Sequence, residues 1–167
     1  MKLRKQSLFS LALLALLIIG IFGLINPAGS ILTASQVKFT PKHYDMQNGA
    51  DLAVQIQLTD ENNVTLVDEI DNTTVRLEGS VPPTTTWIEY NQAGKPSRFH
   101  AVFGASAVTG VIWHIIQHMD ITRPNPWVPI PLRLYVYGKL IDGTTLWEGS
   151  AILSLYNWAG GSPSPPP

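Results

Sequence analysis

Residues 51–59 read DLAVQIQLT, with Leu52, Val54, Ile56 and Leu58 alternating with polar positions. A period of two places alternate side chains on opposite faces of a strand, so this segment predicts a strand with one buried face. The pattern recurs at 73–79, TTVRLEG, through Val75 and Leu77, and shorter strand-like runs lie at 36–40, 87–90 and 99–103. The clearest hairpin joins 132–141, LRLYVYGKLI, to 144–158, TTLWEGSAILSLYNW, across Asp142-Gly143. Asp-Gly predicts a tight turn there, because it tolerates the positive φ angles that such turns need. About seven or eight short strands at this spacing predict an all-β chain folded as a single antiparallel β-sandwich.

Two segments depart from the alternation. In 106–120, SAVTGVIWHIIQHMD, Val108, Ile112, Ile115 and Met119 recur at helical spacing, and Pro124, Pro126, Pro129 and Pro131 bar any continuation. This predicts one short helix over an end or edge of the sandwich. At the N-terminus, Lys2, Arg4 and Lys5 precede 18 residues without a charge, 8–25. A membrane-spanning helix needs about 17–25 apolar residues, and the preceding cations favour a cytoplasmic N-terminus with export of the chain beyond Asn26. The segment fits either a retained membrane anchor or a signal peptide cleaved after Leu-Thr-Ala at Ala34. The chain thus divides into a leader or anchor over 1–34, an ectodomain over 35–158, and a Pro/Gly/Ser-rich tail or linker over 159–167, whose prolines favour extended polyproline conformations.

Composition narrows the function classes. The 167 residues are 45% hydrophobic, enough for one core. Removing the three leader cations leaves 8 basic against 12 acidic residues, a net of −4, which argues against a nucleic-acid partner. The chain has no cysteine, so disulfides, thiol nucleophiles, thiolate metal sites and lipid-modified cysteines are excluded.

Five pieces in order carry a resemblance: VKFTP at 37–41, EIDNTTVRLEG at 69–79, Val81-Pro82, HAVF at 100–103 and GKLIDGTTLWEG at 138–149. Together they resemble a recurrent β-sandwich module of secreted and cell-surface proteins of archaea and some bacteria. The resemblance covers residues 36–155 and implies an immunoglobulin-like, Greek-key sandwich serving as a non-catalytic building block, with no cofactor. Such modules carry an acidic calcium loop, which falls here on 90–98. Its aspartate positions hold Tyr90, Gln92, Gly94 and Arg98. Calcium takes six to eight oxygens, several from carboxylates, so no calcium site is carried over. The segment IEYNQAGKPSRFHAVF is instead expected to be a metal-free connection held by Gly94, Pro96 and side-chain amides.

The remaining chemical candidates are sparse. His114 and His118 share a helix face, and His100 is the third imidazole of a conceivable zinc site. No HExxH pattern accompanies them, and two such histidines are more commonly solvent-facing or hydrogen-bonded. No Gly-x-Ser-x-Gly frame marks a nucleophile. Asn63 and Asn72 head Asn-x-Thr sequons in predicted loops, candidates for glycosylation of an exported chain. Of the five tryptophans, Trp127 in the NPWVPIP loop is the candidate for partner or carbohydrate contact, although core packing is the commoner use. The expectation is a non-enzyme with no cofactor and no metal. Its partners would be the membrane, through a retained N-terminal helix, and other cell-surface proteins or its own copies. Strand addition into a filament or surface layer is the alternative.

Overall fold

A computed structural model describes residues 31–119 and 128–157. The hydrophobic segment 8–25, Trp127 and the tail 159–167 lie outside the described residues. Among the described residues no helix is long and apolar enough to cross a membrane.

Among the described residues nine strands form two sheets. The first contains β1 (Ile31–Thr33), β3 (His43–Asp45), β5 (Ile70–Leu77), β8 (Ile130–Leu140) and β9 (Leu146–Tyr156). The second contains β2 (Gln36–Thr40), β4 (Leu52–Gln57), β6 (Thr85–Tyr90) and β7 (Pro96–Phe103). Their orders are β1-β9-β8-β5, with β3 also on β9, and β2-β4-β7-β6. Alternation explains the packing. Leu52, Val54 and Ile56 of β4 and Phe99, Ala101 and Phe103 of β7 are buried, as are Leu132, Leu134 and Val136 of β8 and Leu153 and Leu155 of β9. All belong to one hydrophobic cluster, an arrangement consistent with a β-sandwich.

Several expectations change in detail. The extra strands are β1 and β3, three residues each, and both run parallel to β9, so the first sheet is not purely antiparallel. β1 falls inside the 1–34 segment assigned to the leader, and the compact unit begins at Ile31. Ala34 N–H donates to Glu148 O at 2.7 Å, so a cut after Ala34 would remove a paired strand. The Asp142-Gly143 hairpin is wider than a two-residue turn. Leu140 N–H donates to Thr145 O, Gly143 N–H donates to Leu140 O, and Gly143 alone of the pair has positive φ, +71°. Asp142 replaces the second left-handed residue: Oδ1 accepts the N–H groups of Thr144 and Thr145, and Oδ2 accepts the Thr145 hydroxyl.

Residues 105–118 form the helix α1 (Ala105–His118). Its buried face is Val108, Ile112 and Ile116, with Ile115 partly buried. Met119 is 42% exposed, because the helix ends at His118 and the next residue is extended. The residue before α1, Gly104, has no side chain to cap it, and Asp51 takes that role from the loop before β4, accepting Ala105 N–H at 2.9 Å. Buried Tyr44 of β3 adds a clamp: its hydroxyl donates to Ala105 O and lies 3.0 Å from Thr109 Oγ1. The helix is thus joined to the strand that crosses from β2 to the first sheet.

Trp147 of β9 is 1% exposed and lies across Gly138 of β8, its registered partner. A Cβ at Gly138 would stand 2.7 Å from three atoms of the indole. The absence of a side chain at Gly138 is therefore what admits the ring.

Candidate functional site

The β6–β7 hairpin is organised by its turn. Asn91 Oδ1 accepts the N–H groups of Ala93 and Lys95, Asn91 N–H donates to Lys95 O, and Gly94 N–H donates to Asn91 O with Gly94 at φ +72°. The same pattern occurs at 60–64: Asp60 Oδ1 accepts from Asn62 and Val64, and Asn63 takes the left-handed position at φ +61°. A side-chain oxygen directing two backbone N–H groups inward is an Asx-type turn. At residues 91–95 the amide oxygen of Asn91 is what draws the loop together.

The turn sets the register that builds the site. Counting outward from it, Glu89 faces Arg98 and Trp87 faces His100. His100 Nε2 lies 2.8 Å from Glu89 Oε2, and Arg98 donates to Glu89 Oε1 at 2.9 Å. A carboxylate only accepts, so Nε2 carries the proton. The hydrogen bond from His100, opposed by partial desolvation and followed by the charge of Arg98, holds the Glu89 carboxyl below the ordinary glutamate range. The Trp87 ring stacks on His100 with centroids 4.6 Å apart and planes 10° from parallel. His100 is 7% exposed, whereas Trp87 remains 45% exposed. The row continues across the sheet through Gln55 to Lys38.

This arrangement suits recognition better than reaction chemistry. The carboxylate is committed to two partners, and the imidazole is held by one of them. Among the described residues the one hydroxyl–imidazole hydrogen bond is Tyr156 with His43, at 3.2 Å. Trp87 is a large amphipathic surface whose orientation is fixed before any partner arrives, which lowers the ordering cost of contact.

The three histidines do not assemble. His100 sits in β7 with Glu89, while on α1 His118 Nδ1 lies 2.7 Å from His114 O, which takes a ring N–H. Among the described residues no group of three His, Cys, Asp or Glu side chains is placed to hold a metal. Asn63 is exposed at a turn tip. Asn72 is also exposed but lies within β5, not in a loop, in the stretch where the register with β8 shifts between Asp71 and Arg76. Its side-chain nitrogen is 3.5 Å from Thr86 Oγ1 of β6. Trp87 and Glu89 are functional candidates that residue type alone does not single out; the signal available is the hairpin register, which pairs them with His100 and Arg98. No family model, curated protein or solved structure matches this chain, so its function is inferred from the fold and this site.

Proposed function

We propose that the chain is an exported, non-catalytic protein of the cell surface, an immunoglobulin-like Greek-key sandwich that acts by contact. The topology supports this reading. One sheet orders β2-β4-β7-β6 and the other β5-β8-β9, with β3 added to β9, which parallels the ABED and CFG sheets of constant-type immunoglobulin domains. The leader supports export, with residues 8–25 as an anchor if retained, and the exposed Asn63 and Asn72 are its proposed glycan sites.

The observation that carries the contact reading is Trp87, 45% exposed yet fixed by an almost fully buried His100 that is itself fixed by Glu89. Surface labelling of intact cells expressing the full chain, with a membrane-impermeant amine reagent, tests the location. Labelling of the chain alongside known surface proteins is expected. A chain that stays unlabelled until the cells are lysed would overturn the reading.

A further inference from the structure

β6 is an edge strand, and the other principal edges are blunted in ways it is not. The free edge of β5 is broken by the bulge between Asp71 and Arg76. β2 is five residues long with exposed Lys38 at its centre and Pro41 directly after it. The outer edge of β9 is occupied at both ends by β1 and β3, which are themselves only three residues long. Bulges, lysines, prolines, short strands and covering segments are the standard devices against unwanted strand pairing.

Among the described residues β6 has none of these along 85–89, where the one side chain reaching it from the facing sheet by a hydrogen bond is Asn72, on Thr86 Oγ1. Its sequence is TTWIEY, without proline or lysine, and it keeps unbroken register with β7 from Thr85 to Glu89. Among the described residues β7 is its one strand neighbour. Its single charge, Glu89, is already matched by Arg98 and His100. At about 3.4 Å per residue, the five residues 85–89 make an edge of roughly 17 Å ready to pair.

The residues also indicate the partner. Thr85, Trp87 and Glu89 share the outer face with His100 and Arg98. If a second β6 approaches antiparallel about a twofold axis at Trp87, each Trp87 meets its counterpart and each Glu89 meets a threonine, Thr85. No like charges oppose each other, and the row Lys38–Gln55–His100–Trp87 runs on into the other molecule. Such self-complementarity is what an isologous interface requires.

We propose that the β6 edge is a homotypic pairing site: two copies join β6 to β6, antiparallel and centred on Trp87, making one eight-stranded sheet from two four-stranded ones. This rests on the contact reading above and supplies its partner, a second copy of the chain. The pairing is open to test because position 87 opposes itself. Full chain in detergent micelles is studied by sedimentation as wild type, Trp87→Lys, Trp87→Glu and an equimolar mixture of the two variants. Wild type is expected to form a two-copy species. Each variant alone should dissociate at least tenfold more readily, and the mixture should recover the two-copy species. Thr85→Glu, an exposed change that sets a carboxylate opposite Glu89 of the other copy, should also weaken association without altering the melting temperature. A wild type that stays single-copy at high micromolar concentration, or variants that associate like wild type, would overturn the proposal. Surface labelling is independent of this result, so a failed pairing leaves the location reading standing.

Discussion

Gly138→Ala offers a sharp test of the packing, because two effects of opposite sign meet there. Gly138 is not at positive φ, so alanine fits its backbone. Reduced unfolded-state entropy alone would then stabilise the protein by about 0.4–1 kcal/mol. Against this, the new Cβ would lie 2.7 Å from Cε2, Cζ2 and Nε1 of Trp147. The indole has little room to retreat, since the residue is 1% exposed and packed within the main cluster. Overpacking of a filled core costs about 1–3 kcal/mol, and contact with three ring atoms at once argues for the upper end. The net expectation is destabilisation by roughly 2 kcal/mol, or about 6–10 °C in melting temperature at this size. Gly110→Ala is the control: in α1 its Cβ would meet no neighbour, so a gain of about 0.5–1 kcal/mol is expected from helix propensity. Both variants are melted as the full chain in detergent by circular dichroism. A Gly138→Ala protein that melts at or above wild type would refute the packing of Trp147 on Gly138.

Individual hydrogen bonds lead to three further outcomes. Asp51→Ala removes the acceptor for Ala105 N–H and should cost about 0.5–2 kcal/mol by denaturant titration, the usual cost of a lost helix cap. Asn91→Ala leaves two backbone N–H groups of the β6–β7 turn to water and should cost about 1 kcal/mol. In wild type, calcium or chelator should leave melting unchanged, whereas a large upward shift with calcium would contradict the turn reading. Hydrogen bonds from the Thr145 side chain and then from the Thr145 and Thr144 backbones lower the Asp142 carboxyl from 3.8 to about 2. A depressed acid stabilises above its unfolded value and loses that stabilisation as pH falls through its folded value. Between pH 3.8 and about 2, wild type should therefore lose stability more steeply than Asp142→Asn; parallel acid limbs would count against that geometry.

Legibility in the sequence tracks local pattern. β4 is readable because four alternating apolar positions, Leu52 to Leu58, all turn inward. The β8–β9 pairing is readable from its length and from Asp142-Gly143, although the loop is wider than the dipeptide suggests. β1 and β3 are not readable, since three residues carry no period and their place on β9 is set by the chain crossing between sheets on either side of β2. Helical spacing points to Ile115 and Met119, but the buried turn is completed by Ile116, because Met119 already lies beyond the last helical residue. His100 stands out in the sequence as an imidazole and is, in the fold, one member of a Trp–His–Glu–Arg row. That row joins residues 9–13 positions apart, so it becomes visible only once the Asn91 turn fixes which residues face one another.

Amide hydrogen exchange on the full chain across a range of protein concentrations addresses the contact account most directly. The account predicts that exchange in β6, residues 85–89, slows as concentration rises, while β2 and the bulged edge of β5 are unaffected. Exchange in β6 that is independent of concentration, or slowing shared equally by all the edges, would contradict it.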